Sequence, residues 1–445
     1  MPTKTSTRTL HSGKDGSVIK RTVLPGGMRV MTEHVPGSNS VALGFWVGVG
    51  SRDETPKSAG ATHFLEHLLF KGTKKRTPFE ISAAIETVGG DLNAFTSKDC
   101  TCFHARVLER DTELAVDVLS DMVTGSTITK DEYESERPVV LEEIAMYEDD
   151  PGDVAQQGWS KRMFAHTPLA DPILGTVETI AQMDRRTVVT HYRKHYVPSK
   201  IVVSAAGAVD HAQFVRYVKK HMGAWVAGFD AEPIPPRVVS AGLGSRRDRS
   251  EPGSHIIKRP TEQAHLVLGV PAFPIRDERF WALSVLDTAI GSGMSSRLFQ
   301  EVREKHGLVY SVQSFRATFT DTGAFGVYAG TRPEKAKQTV SVIREVLADV
   351  ASRGLGGNEV EDAKSQLRGA SILATEDAQA RMSRLGRSEL ITGELLLASD
   401  IHERIDSVDL DAVNSVARDL LTKPLTLTAV GPFDRRMKFD TSAVV

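Results

Sequence analysis

The sequence predicts an α+β protein built from two homologous α/β-sandwich halves, and three observations carry that prediction. The first is repeated punctuation. Around Asp184 the order is a helix (185–196), Pro198, an apolar strand (201–206), Gly207 and Asp210; around Asp409 it is a helix (410–421), Pro424, a strand (426–430), Gly431 and Asp434. The offsets are 225 for the first Asp, 226 for the Pro and 224 for the Gly and last Asp, the trace of an internal duplication. The second is a stretch, 228–260, rich in Pro, Gly, Ser and Arg and poor in periodicity, as a linker is. The third is that strands and amphipathic helices recur in one order on both sides of it, so each half layers helices on a sheet. The expected domains are 1–230 and 261–445, joined by a linker at 231–260.

Each element has a local reason. Strand 41–49 is apolar and β-branched, and leads into a helical stretch around 63–69. Thr77 and Glu80 form a capping box with Pro78 at the first helical position; the helix shows Ile81, Ala84, Ile85 and Val88 on one side and stops at Gly89. Strands 91–97 and 101–108 follow, then an amphipathic helix at 111–123. A second capping box, Thr129 to Glu132, opens a helix carrying Glu136, Glu142 and Glu143. The second half echoes this with strand 265–270, helix 280–290, strands near Tyr310 and Gly323, and helix 333–350.

Composition removes several classes of function. A chain of 445 residues exceeds one compact core, and 40% hydrophobic with 25% charged residues is ordinary for a globular protein. A net charge of -2 leaves no basic footprint, so nucleic acid is excluded as a partner. The longest apolar runs, 41–50 and 201–209, are about half the ~20 residues that cross a bilayer, so no membrane span is expected. Cys100 and Cys102 alternate near one strand, where they are poor disulfide partners, which suits a reducing compartment. Residues 1–22 carry Lys4, Arg8, Lys14, Lys20 and Arg21 against Asp15 and have no apolar leader. They read as a short flexible arm of a cytoplasmic protein; a transit peptide to the mitochondrial matrix is the alternative for a eukaryotic source.

The chemistry lies in His63-Phe64-Leu65-Glu66-His67. Positions i and i+4 of a helix project side by side, so both imidazoles can reach one ion, while Glu66 on the same side can face a water that the ion activates. That is the inverted zincin spacing H-x-x-E-H, in which the glutamate is the general base of peptide hydrolysis. Catalytic zinc takes three protein ligands and keeps a fourth position open, so one more ligand must come from elsewhere. Glu143 is the leading candidate, although helical spacing does not separate it from Glu142. Glu136, seven residues earlier and on the same face as Glu143, can brace a ligand.

Together with Asp91 to Thr96 and the Glu136-Arg137 pair, these residues resemble the pitrilysin and insulinase family, particularly its mitochondrial processing peptidase branch. The resemblance covers residues 20 to 435 and implies one zinc per chain and a metalloendopeptidase. It places the third ligand 76 positions after His67, at Glu143, and makes Glu136 an assistant to the site. It makes Asn93, Ala94, Phe95 and Thr96 the edge strand along which an extended substrate lies, and gives Arg303 and Tyr310 the substrate carbonyl oxygens and the tetrahedral intermediate. It also implies a clamshell chamber closed by dimerisation, a homodimer or else a heterodimer, admitting unfolded peptides or short protein segments. Asp153 stands where the processing branch recognises arginine, but Gln157 replaces a second acid, so arginine-guided cutting is not implied. Relatives also serve as respiratory-complex core subunits, which read as copies whose zinc residues have decayed, whereas His63, Glu66, His67 and Glu143 are all present here. The other alternative is a peptide-binding chamber that holds zinc without turning over.

Overall fold

Two mixed sheets organise the computed structural model, which describes residues 5–237, 250–434 and 436–443. The first holds β1 (Ser6–Ser12), β2 (Val18–Val23), β3 (Arg29–His34), β4 (Ser40–Val47), β5 (Asp91–Thr96), β6 (Thr101–Leu108) and β7 (Ile201–Gly207). Their order is β1-β2-β3-β7-β4-β6-β5. The second holds β8 (Gly253–Lys258), β9 (Ala264–Ala272), β10 (Val309–Thr318), β11 (Gly323–Thr331) and β12 (Thr426–Gly431), in the order β10-β11-β9-β12-β8. Strand for strand, β3-β7-β4-β6-β5 and β8-β12-β9-β11-β10 are the same sheet. In each, the first pair is parallel and every other pair antiparallel. The internal duplication is therefore a property of the fold.

The repeated punctuation has a physical basis. Asp184 accepts from Thr187 N at the start of helix Arg185–His195, and Asp409 accepts from Ala412 N at the start of Leu410–Leu421, so both are N-caps. The last Asp of the repeat does not keep its role. Asp210 caps helix His211–Val226, whereas Asp434 accepts from Arg436 N and closes a turn.

Residues 6–23, read from the sequence as part of a flexible arm, are instead a hairpin on the edge of the first sheet; Lys4 lies outside the described residues. The turn is closed by Gly13 N donating to Ser17 O at 2.8 Å and by Asp15 accepting from Ser17. β2 then pairs along its length with β3. Of the stretch 231–260, residues 238–249 lie outside the described residues, and β8 occupies Gly253–Lys258.

The chain divides into two compact units, each holding a segment from the other half of the sequence. The first comprises Met1–Ile144, Asp171–Ser240 and Ala374–Leu395; the second comprises Ala145–Ala170, Ala241–Leu373 and Leu396–Val445. In the first unit one sheet face buries Phe45, Val47, Phe103, Phe64, Leu68 and Ile81, each worth roughly 1.5–3 kcal/mol. Helix Ala378–Arg387 lies on β3, β7 and β4. Gly386 is what lets it lie so close, because a Cβ there would meet Trp46 at 2.3 Å. Arg381 and Arg384 both grip the buried carboxylate of Glu33, and Ser204 donates to Met382 O at 3.0 Å. In the second unit helix Pro151–Met163 lies on β9 and β12 and buries Ala155, Trp159 and Met163 against Val267 and Val430. Asp150 and Asp377 cap these two helices in the same way. Among the described residues no helix is long and apolar enough to cross a membrane.

Candidate metal centre

Helix Ala61–Leu69 of the first unit carries the paired histidines. Phe64, Leu65, Leu68 and Leu69 are buried in the core, so the rotation of the helix is set by packing, and that rotation leaves Glu66 and His67 half-buried on the other side. Phe64 stacks on Tyr133 with ring centroids 4.8 Å apart, and Tyr133 donates to Met183 O at 2.7 Å. Tyr133 belongs to helix Lys130–Asp149, opened by the Thr129 and Glu132 pair: Thr129 N donates to Glu132 Oε2 at 2.9 Å and Glu132 N to Thr129 Oγ1 at 3.3 Å. Tyr133, Glu136, Val140 and Ile144 are its buried face, and Glu143 stands beside that face while Glu142 is exposed. The choice that spacing left open is thus made by a rotation of one residue.

His63, His67 and Glu143 each present one ligand atom, all within 4.8 Å of one another. Glu143 Oε2 lies 3.5 Å from His63 Nε2 and 3.3 Å from His67 Nε2. Donors about 2.1 Å from a tetrahedral ion stand about 3.4 Å apart, so these separations are those of a shared cation. Glu143 Oε2 is also buried without a hydrogen-bond partner among the described residues, a costly state for a carboxylate oxygen unless a cation answers it. The donor set fits zinc.

Surrounding groups orient this set. Glu136, 3% exposed, accepts from His67 Nδ1 at 2.9 Å and from Lys71 Nζ at 2.6 Å. Burial works against its charge, but His67 and Lys71 outweigh that and hold its carboxyl below the usual range, so it is an acceptor. His67 therefore carries its proton on Nδ1 and turns Nε2 toward Glu143, the carboxylate–histidine arrangement of metal sites. Burial pushes His63 down to about 4. For His67 burial acts the same way, but the Glu136 and Glu143 carboxylates outweigh it and lift the ring to about 9. Without a cation, one proton thus sits among these groups, and a metal displaces it.

Glu66 does not join the three donors. Burial raises its carboxyl, and the hydroxyl of Thr96 donates to its Oε2. It stands close enough to His67 and Glu143 for their charges to act on it. Thr96 ends β5, the outermost strand of the first sheet, so Asn93, Ala94, Phe95 and Thr96 lie on an edge that no further strand pairs with among the described residues. Phe95 packs edge-on to Trp46 on the sheet face opposite Thr96.

The sequence matches a family profile described as insulinase (peptidase family M16) over residues 29–177, and a profile described as the peptidase M16 inactive domain over 182–367. A protein named as an uncharacterised zinc protease of Streptomyces coelicolor is 48% identical over 429 residues, which is 96% of this chain and 92% of that protein. The chain belongs to peptidase family M16. A similarly named relative of this M16 chain, from Bacillus subtilis, is 38% identical over 415 residues, covering 93% and 98% of the two chains. Among solved structures, a protease from Helicobacter pylori aligns with a TM-score of 0.82 at 19% identity over 97% of this chain and 100% of its own. A peptidase M16 inactive domain from Pseudomonas fluorescens aligns with a TM-score of 0.82 at 20% identity over 95% and 99%. Both are likenesses of fold.

The second unit of the M16 chain shows what replaces the metal set. Helix Phe280–Gly291 occupies the place of the metal helix, and its Asp287 accepts from Ser314 and, at 2.9 Å, from Arg316 Nε, both on β10. The acid is answered by a cation of the chain itself. Arg303 and Tyr310 also belong to this unit and are brought together: Arg303 Nη1 donates to Tyr310 O at 2.9 Å and the guanidinium lies 5.0 Å from the phenol ring. Tyr310 is 78% exposed. Asp153 is in the second unit too, where burial and then Asp150 raise its carboxyl. Sequence reasoning missed Lys71 and the partnership of Thr96 with Glu66. Lys71 had a signal, since it is a cation four residues after His67, just past the end of the metal helix; Thr96 had none, since strand and helix meet only in the fold.

Proposed function

We propose that this chain is a zinc-dependent endopeptidase that hydrolyses unstructured peptides, with one zinc per chain and Glu66 as its general base. The convergence of His63 Nε2, His67 Nε2 and Glu143 Oε2, with Glu66 beside them, is the single observation that carries the reading. Membership of a family whose relatives are named zinc proteases supports it. When bound, zinc supplies Lewis acidity toward a peptide carbonyl and makes water nucleophilic near neutral pH. Glu136 and Lys71 keep His67 in its ligand orientation. Glu66, with its carboxyl raised by burial, takes a proton from the attacking water and passes it to the leaving amine. Thr96 occupies one Glu66 oxygen and leaves the other for that transfer.

The edge at Asn93, Ala94, Phe95 and Thr96 supports substrate binding by strand addition, backbone to backbone. Such binding needs a peptide whose own backbone is unpaired, which names unfolded segments as the substrate class. Arg303 and Tyr310 are assigned to substrate carbonyls and to the developing oxyanion, roles that a fixed cation and a phenol suit. Because one chain carries both this pair and the metal set, the working form is read as a homodimer closing a chamber. Two unbridged cysteines suit a reducing compartment, and the cytoplasm is the proposed location. The complete donor set, with Glu66 beside it, favours catalysis over the role of a structural subunit.

Cleavage of a fluorogenic unstructured peptide by the parent and by Glu66→Gln tests the reading. The variant keeps its zinc and loses activity by at least about 10²-fold; a variant that cuts as fast as the parent removes Glu66 from the chemistry.

A further inference from the structure

The metal helix lacks the side-chain cap that many other helices of the chain have. Thr77, Asp150, Asp184, Asp210, Asp377 and Asp409 each accept from a backbone N–H of the helix they open. Helix Ala61–Leu69 starts instead at Gly60, which has no side chain to offer. Nothing larger fits there: φ is 91°, and a Cβ would stand 2.5 Å from Leu174 O. The first-turn donors go to a distant acid. Glu54 Oε2 accepts from Gly60 N at 2.8 Å and Glu54 Oε1 from Thr62 N at 2.7 Å. Both carboxyl oxygens thus hold the backbone that immediately precedes His63; burial pushes this carboxyl up to about 7, against the Thr62 and Gly60 groups that donate to it.

Glu54 ends a loop that is tied in turn to the end of the substrate edge. Ser51 N donates to Ser97 O at 3.1 Å and Arg52 N to Lys98 O at 3.2 Å, both in the turn that follows β5. Arg52 Nη1 reaches Asp99 Oδ1 at 3.0 Å. Asp53 accepts two bonds from Arg237, at 3.0 and 2.6 Å, and Arg237 also donates to Asp99 O at 2.9 Å. One clamped loop therefore references the metal helix at one end and the β5 turn at the other. Thr96, which meets Glu66, is the residue just before that turn.

We propose that Glu54 is a positioning residue: it sets the rotation and height of the metal helix against the β5 edge, and so places His63, Glu66 and His67 relative to a strand-bound peptide. The proposal rests on the peptidase reading above and is tested through metal affinity as well as turnover.

The full-length chain is titrated with zinc in competition with a chromophoric chelator, and kcat and KM are measured on an unstructured peptide. Glu54→Ala weakens zinc by about 10–100-fold, the range for groups that orient ligands, and lowers kcat. Glu54→Gln keeps the shape and one acceptor, falls between parent and Glu54→Ala, and carries the test if Glu54→Ala does not fold. Asp210→Ala removes an ordinary cap, whose bond to Gln213 N is 2.7 Å, and serves as the control for lost stability. It melts lower and binds zinc like the parent. The proposal is overturned if the folded Glu54 variants bind zinc and turn over like the parent, or if Asp210→Ala weakens zinc as much as they do. A parent that binds no zinc fails the peptidase reading itself, and the proposal with it.

Discussion

His67 Nδ1 lies 2.9 Å from Glu136 Oε1, which fixes the ring's proton on that nitrogen and frees Nε2 for an ion. Glu136→Gln keeps the size of the side chain but turns a charged acceptor into an amide that satisfies Lys71 poorly. Zinc affinity is expected to fall by roughly 10–100-fold. Chelator competition measures it, and an unchanged dissociation constant would detach Glu136 from the site.

Glu33 is 3% exposed and is gripped by Arg381 and Arg384 of the helix that the second half of the sequence contributes to the first unit. Glu33→Ala removes the buried carboxylate that both guanidinium groups, themselves largely covered, share. A loss of roughly 3 kcal/mol in unfolding free energy is expected. Urea denaturation measures it, and a loss below about 0.5 kcal/mol, the size of an ordinary surface change, would show that the pair does not anchor the helix.

His191 faces Thr62 on the metal helix, 3.1 Å from its hydroxyl. Burial pushes the ring down to about 4, with Asp53 opposing and Lys194 and Lys200 assisting. An unfolded imidazole binds its proton below about 6.5. Between those values the unfolded chain holds a proton that the native chain refuses, so stability is full above about 6.5 and falls as pH drops toward about 4. The contribution is at most on the order of 3 kcal/mol. Melting of parent and His191→Gln between pH 4 and pH 7 checks it: the parent's decline is the steeper, and parallel curves would contradict the assignment.

What was legible in the sequence was local. The His63 and His67 spacing, the Thr77 and Thr129 caps and the duplicated Asp184 and Asp409 depend on residues within a few positions of one another, and each has its structural counterpart. The likeness of the two sheets followed from duplication, since a repeated unit repeats its pairing, but the strand order itself did not. What stayed hidden depends on distant partners. Glu54 caps a helix across a loop, Thr96 meets Glu66 from a strand, and segments Ala145–Ala170 and Ala374–Leu395 join units that their position in the chain does not announce. The hairpin at 6–23 was hidden for a related reason: β1 is almost wholly exposed and carries little apolar periodicity, so only its pairing with β2 makes it a strand.

Zinc content tests the central claim most directly, measured by elemental analysis on the purified chain after saturation and desalting, for the parent, Glu142→Gln and Glu143→Gln. The parent and Glu142→Gln should hold one zinc per chain, and Glu143→Gln should hold far less, because it removes the carboxylate that stands 3.5 and 3.3 Å from the two imidazoles. A parent free of zinc, or a Glu143→Gln chain that keeps a full equivalent, would contradict a metal centre built from His63, His67 and Glu143.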